Sequence, residues 1–428
     1  MIHSRDKARY RSGIKAITLF ISDSELATNQ FYLRRRTVVL TLIDRAAVVL
    51  FYVLPAVLVG LNVSSLSAAD DPTQIDVWIG TGRSQQSKGI YHCTLNLKTG
   101  RLSGSQLVAE ISGPGFLAMH PNGQHIYAVG SLEDQPVVAA YSIQKEKGKA
   151  SLRFQNAVEI GDGGAAHVSI DSTGRTILTA QYGAGSTAVF SVNEDGSIKE
   201  RTQIVKHEAG SQAVSGRQEK PHAHWTGFSP DERFAFVPDL GMDKVVIYKV
   251  DTAKSKIEPH GFGVVPPGSG PRHMKFHTNG KWIYVLNELD LSVTHFDYDA
   301  EAGTMTAQET VLTVPKDELA KEKFKSCSEI RVHPNGRFVY AANRGHDTVT
   351  VFSVDQNTGR LTLVERENVR GATPRNINLT PDGRWLIAAG QDSHTLAVFE
   401  VNQDTGELTY NGSNVTAPTP ICILFEHE

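Results

Sequence analysis

From Ile75 to the C-terminus the chain alternates apolar and polar residues in short runs, and the runs come in pairs joined by a turn. In "IRVHPNGRFVYAANR", beginning at Ile330, an alternating stretch meets Pro-Asn-Gly-Arg and a second apolar stretch follows. Period-two alternation predicts half-buried strands. Asn-Gly or Asp-Gly at the centre predicts a tight hairpin, because such turns need positive φ. The same hairpin recurs as "FLAMHPNGQHIYAVG", "HVSIDSTGRTILTAQ", "HWTGFSPDERFAFVPD", "MKFHTNGKWIYVLNE" and "INLTPDGRWLIAAGQ". Each is followed by a third strand and a turn that leads to a fourth. Six four-stranded units therefore fill the middle of the chain.

The two ends complete a seventh. "APTPICILFE" at the C-terminus matches the first strand of a unit as it stands in "GATPRNINLT" and "GSGPRHMKFH". "IDVWIGTG" from Ile75 reads as a second strand and "GIYHCTLNLKTGRLS" as a third with its turn, with no first strand before them. Pairing the two fragments gives an all-β, seven-bladed β-propeller over residues 70–428, closed by strands from both termini, with Ile421 to Phe425 beside Ile75 to Gly80. Closure of this kind removes the open sheet edges that a linear array would expose.

Composition fits one repeated domain: 40% hydrophobic residues supply cores and 37 glycines supply turns. A formal charge of −3 gives no bias toward polyanions, so nucleic acid is not an expected partner. Residues 1–69 differ in kind. "RRR" at Arg34 to Arg36 precedes an apolar stretch from Ala46 to Val63, broken by Pro55, Gly60 and Asn62, and "SAA" at Ser67 to Ala69. This order is that of a secretory signal, with cleavage before Asp70 and an exported or periplasmic product; the rival is an uncleaved membrane anchor. The residues ahead of Arg34 exceed what a basic leader start requires. Cys93, Cys327 and Cys422 form neither a CxxC pair nor a metal-ligand spacing, and their strand-like flanks predict small buried hydrophobes. "GTGRSQQSKG", Gly80 to Gly89, has the glycines of a dinucleotide loop but leads from strand to strand, so no cofactor is expected from it.

In an antiparallel hairpin, residues equidistant from the turn are neighbours. Arg272 stands eight positions before Gly280 and Glu288 eight after, so they should face each other. Glu329 and Asn343 are each seven from Gly336, with Arg344 one step beyond, and "PHAH" sends His222 and His224 to the corresponding end of the preceding unit. Three consecutive blades thus direct polar side chains to one rim of the central channel. An isolated Arg–Glu pair would read as a structural ion pair. The corresponding starts "SGPGFLAMH" and "GGAAHVSI" carry small residues, however, so the repeat does not require the cluster. Two arginines suit an anionic ligand held by forked donors, and they oppose a metal at the two histidines, which no third ligand joins. His222, His224 or Glu288 is then the candidate general base. His273, His277 and His333 read first as turn or packing histidines, although His273, beside Arg272, stays with His222, Glu329, Asn343 and His346 among the residues flanking the rim.

The segments "RQEKPHAH", "GPRH", "NEL" and "NRGHD" together resemble the seven-bladed lactonase family, which includes bacterial 6-phosphogluconolactonases of the propeller type and fungal carboxymuconate-lactonizing enzymes. The resemblance implies His224, Arg272, Glu288 and Arg344 as site residues. It also implies metal-independent hydrolysis of an anionic sugar lactone in carbohydrate metabolism, 6-phosphogluconolactonase-like. A lactonizing cycloisomerase would use the same residue types, and a non-catalytic propeller binding a sugar acid or a protein would use the fold alone. A phosphorylated sugar lactone is an unexpected metabolite for an exported protein, which leaves the lactone itself open.

Overall fold

A computed structural model describes residues 73–146, 148–322 and 324–426. The expected leader and its cleavage point at Asp70 lie outside these residues. Within them the strands form seven antiparallel sheets arranged as blades. In chain order, blade 3 runs Gly227–Phe228, Phe234–Asp239, Lys244–Asp251 and Lys256–Val264; blade 4 runs Pro271–Phe276, Trp282–Asn287, Ser292–Asp299 and Thr304–Leu312. Blade 5 is Ser326–Val332, Phe338–Arg344, Thr348–Val354 and Leu361–Asn368, and blade 6 is Pro374–Leu379, Trp385–Gly390, Thr395–Val401 and Leu408–Thr416. Blade 7 draws on both termini: Pro420–Phe425 pairs with Gln74–Thr81, with Val77 opposite Phe425 and Ile79 opposite Ile423. The complementary half-copies in the sequence are thus one sheet.

The hairpin turns are set by backbone chemistry. Gly280 and Gly336 adopt φ of 69° and 71°, and in blade 3, where the turn reads "SPDER", Glu232 takes the same left-handed slot at 57°. The turn histidines act between blades. His277 Nε2 lies 2.6 Å from the Gly336 carbonyl and His333 Nε2 lies 2.9 Å from that of Gly383, so each turn is tied to the next. The turn reading of these two histidines holds.

Seven apolar clusters, one between each pair of adjacent blades, hold the ring together. Tyr284 and Leu286 of blade 4 meet Ile330, Val339 and Phe352 of blade 5, for example. Across the closing seam, Ile423 and Phe425 pack with Trp385 and Ile387 of blade 6. Each such side chain, fully buried, contributes about 1.5–3 kcal/mol. Cys93, Cys327 and Cys422 are free and buried, as small apolar residues would be. Among the described residues no helix is long and apolar enough to cross a membrane.

Candidate functional site

The innermost strands of blades 4, 5 and 6 each carry a β-bulge at the end farthest from the hairpin turn. In blade 4, Pro271 pairs with Asn287 and His273 with Leu286, leaving Arg272 as the extra residue. Blade 6 repeats this: Pro374 pairs with Gly390 and Asn376 with Ala389, so Arg375 is extra. In blade 5, Cys327 pairs with Asn343 and Ile330 with Ala341, which sets Ser328 and Glu329 against Ala342. A bulge breaks the alternation of side chains and re-aims the extra residue. The counted pairing of Arg272 with Glu288 survives as a direct side-chain contact. That of Glu329 with Asn343 does not: the bulge shifts the register and brings Cys327 opposite Asn343.

Glu288 is the hub of the rim. Its Oε2 accepts from Arg272 Nε at 2.9 Å and lies 3.2 Å from Arg344 Nη2, while Oε1 accepts from Arg217 Nη2 at 2.6 Å. Arg272 Nη1 also donates to the Ser328 carbonyl, and Arg344 Nη2 to Ser326 Oγ and, at 2.9 Å, to the Cys327 carbonyl. Burial alone would raise the Glu288 carboxyl, but Arg344, Arg272 and Arg217 overcome it and hold the group at about 2. Arg272 is pushed down to about 9 by burial, then by Arg344 and Arg375. Three guanidiniums, Arg217, Arg272 and Arg344, thus share one carboxylate, and the charge of a fourth, Arg375, feels it at longer range. Arg344 Nε is buried without a hydrogen-bond partner.

Two imidazoles form the floor. His224 and His273 meet edge to face with centroids 5.1 Å apart, and each buries a nitrogen that no protein group engages, Nδ1 of His224 and Nε2 of His273. Both are held well below the ordinary histidine value, by burial and then by Arg272. His273 Nδ1 lies 3.0 Å from Glu329 Oε1, and Glu329 Oε2 accepts from Asn376 at 2.6 Å. His273 is not a turn histidine: its ring packs against those of Phe116, His167 and His224. Asp239, fully buried, fixes the segment ahead: its Oδ1 accepts from the His222 backbone and its Oδ2 lies 2.6 Å from His207 Nδ1. His222 and His224 both lie against the Tyr182 ring, stacked at 4.5 Å and edge-on at 5.5 Å, on one side as their spacing implied.

Two flanking candidates stand apart. Asn343 donates to Thr348 Oγ1 and Thr350 Oγ1 within its own blade, repeating what Asn287 does with Ser292 and Thr294. His346 is engaged by Thr348 and by Glu318 of the short helix Lys316–Leu319. Three residues of the rim were missed in the sequence. Arg217 opens the quoted "RQEKPHAH", and Arg375 falls under Arg272 when "GATPR" is written beneath "GSGPR"; both signals were present. Tyr182, past the end of a strand in the preceding blade, had none.

At the opposite mouth, toward the hairpin turns, a cavity of about 490 Å³ is lined by Phe116, Trp225, Lys275, Arg331, His167 and Glu329. Its walls mix aromatic rings with the charged side chains of Lys275, Glu329 and Arg331, and the guanidinium cluster of the rim lies at the other end of the inner strands. Among the described residues no three His, Cys, Asp or Glu side chains are placed to hold a metal ion.

Residues 76–425 match the family model described as lactonase, 7-bladed beta-propeller. The chain belongs to that lactonase family. It is 36% identical over 352 residues to the 6-phosphogluconolactonase of Bacillus subtilis, an alignment that spans 82% of this chain and 98% of that one. The 6-phosphogluconolactonase of Formosa agariphila is 31% identical over 295 residues, 67% of this chain and 81% of that one. Among solved structures, the periplasmic gluconolactonase of Pseudomonas aeruginosa superposes with a TM-score of 0.75 at 28% identity, covering 82% of this chain and 99% of that one. A protein from Lactobacillus plantarum gives 0.76 at 28% identity, over 82% and 99%. The matched stretch of the lactonase model contains every rim residue described above.

Proposed function

We propose that this protein is a lactonase that hydrolyses an anionic sugar lactone, 6-phosphogluconolactonase-like, without a metal. The observation that carries the reading is the excess of guanidinium over carboxylate at the rim, set against two neutral imidazoles with unengaged nitrogens. Such a surface attracts an anion and supplies an acceptor for a proton. Relatives over most of the chain's length are named 6-phosphogluconolactonases, which is a carboxylic ester hydrolysis on a sugar ring.

His224 is the better base. Glu288, near 2 and in contact with three arginines, has little affinity for a proton at neutral pH. Its part is to align the guanidiniums. Water bound beside His224 attacks the lactone carbonyl and gives its proton to the imidazole, while a guanidinium such as Arg344, with Nε unengaged, faces the developing oxyanion. Collapse breaks the ring C–O bond, and the leaving alkoxide takes the proton back from His224, which leaves the open-chain acid. Burial first, and then Arg272 and Arg375 among its charged neighbours, depress His224. An anionic substrate offsets those charges and raises the imidazole toward the range in which a base works best.

The order of basic, apolar and small residues before Asp70 supports export, and the Pseudomonas neighbour is described as a periplasmic gluconolactonase. Sequencing the N-terminus of exported material should find it near Asp70. The activity is tested with purified protein and a panel of phosphorylated and unphosphorylated lactones, with and without chelator. Turnover that survives the chelator is expected. Inactivity on every lactone, with a sugar acid still bound, would select the binding-platform reading.

A further inference from the structure

Arg272 and Arg375 are structural twins. Each is the extra residue of a bulge, directly after the proline that opens the innermost strand of its blade. The residue facing each twin also matches by position. Glu288 N donates to the Gly270 carbonyl at 2.7 Å, and Gln391 N donates to that of Thr373 at 3.0 Å, so Gln391 fills in blade 6 the place of Glu288 in blade 4. The twins differ in what that place provides. Arg272 receives a carboxylate, 2.9 Å from its Nε. At the matching position beside Arg375 the residue is a neutral glutamine.

The charges of Glu288 and Asp392 reach Arg375 only from a distance, and neither pairs with it directly. Among the described residues its guanidinium has no hydrogen-bond or ion-pair partner, although it is more buried than exposed. Asp392, the nearest acid in sequence, is exposed and accepts from Thr373 Oγ1 at 2.6 Å. In blade 5, Arg344 fills the place of Glu288 and turns its charge on Glu288 itself, at 3.2 Å. The charge of Arg375 reaches His224, Arg272 and His273, so it belongs to the same rim. A half-buried cation with no carboxylate paired directly to it, in a slot where the neighbouring copy supplies one, is a receptor for an anion from outside.

We infer that Arg375, rather than Arg272, binds the anionic substituent of the lactone, a phosphate monoester or a carboxylate, and so decides between charged and neutral substrates. The inference rests on the lactonase reading. Arg272 is held by Glu288 and the Ser328 carbonyl and acts as a positioning residue.

The test compares wild type, Arg375→Gln and Gln391→Glu on three lactones: a phosphorylated sugar lactone, its neutral parent and a carboxylated one. For the charged lactones Arg375→Gln should raise KM roughly ten- to a hundredfold, with kcat changed far less, since one charge-assisted interaction is lost. The neutral lactone should show no such rise. Gln391→Glu, which gives Arg375 the partner its twin has, should reproduce the same selective loss with the guanidinium still present. Of the two charged lactones, the one whose KM moves identifies the source of the anion. An equal loss on charged and neutral lactones, or no loss on either, overturns the inference. If wild type hydrolyses no lactone, the lactonase reading fails by itself; calorimetric binding of a phosphorylated sugar acid to wild type and Arg375→Gln then decides, and equal affinity overturns the role of Arg375.

Discussion

His273 Nδ1 lies 3.0 Å from Glu329 Oε1, across the join between blades 4 and 5. Both side chains are almost wholly buried. The carboxylate keeps the proton on Nδ1, so Nε2 carries a lone pair that points to no protein donor. Glu329→Gln keeps the shape but leaves one acceptor oxygen for two donors, His273 Nδ1 and Asn376 Nδ2, and it should cost about 1–3 kcal/mol of stability through the donor left unsatisfied. Chemical denaturation measures this. The exposed pair Arg384–Glu400 provides the contrast, and Glu400→Gln should cost under about 0.5 kcal/mol. A Glu329→Gln protein as stable as wild type would show that the pair does not orient His273.

The two candidate bases separate by kinetics. His224→Ala should lower kcat by about two to four orders of magnitude, the usual loss for a general base. Glu288→Gln should instead raise KM and lower stability, by about 3–5 kcal/mol if the three arginines are left facing one another. Steady-state rates with a thermal melt on each variant distinguish them. Wild-type kcat in His224→Ala would remove His224 from the mechanism.

Acid should weaken the fold in two steps. His167, His224 and His273 are all held neutral, chiefly by burial, below their ordinary 6.5. Below pH 6.5 the unfolded chain takes up protons that the native one refuses. Stability therefore falls with pH, by up to about 1.4 kcal/mol per unit for each imidazole. Glu288 acts lower down: its folded value of about 2 lies under the ordinary 4.5, so its contribution is complete above 4.5 and is lost as pH falls through 2. Urea midpoints at pH 7.5, 6.5 and 5.5 should decline progressively. A flat series would contradict neutral burial of the three rings.

Much of this was legible because the repeat supplies its own control. Six copies of one hairpin fixed the strands, and the unmatched ends fixed the closure. Reading along the repeat also found Arg272 with Glu288, because their place in the hairpin is two-sided. Bulges defeated the same counting elsewhere. One extra residue inverts the faces that follow it, and nothing in "SCSEIRV" announces that Ser328 and Glu329 stand together against Ala342. Tyr182 was out of reach for another reason: it meets His222 and His224 only through the packing of one blade on the next.

Truncation before Pro420 tests the closing sheet. It removes the strand that pairs with Gln74–Thr81 and the side chains of Ile423 and Phe425 from the seam with blade 6. The truncated protein should lose cooperative unfolding or fail to accumulate in soluble form, as light scattering and a thermal melt would show. A sharp wild-type melt would mean that six blades suffice.

The seam also fixes an order of events during synthesis. The strand Gln74–Thr81 is made before the six other blades, and its partner Pro420–Phe425 after them. Until Pro420–Phe425 has been made, Gln74–Thr81 is paired on one edge only, with Gly89–Asn96, and the sixth blade has one bare flank. Contacts so distant along the chain form slowly, because the loop between them must close first. Closure of the ring therefore waits until every other blade has been made.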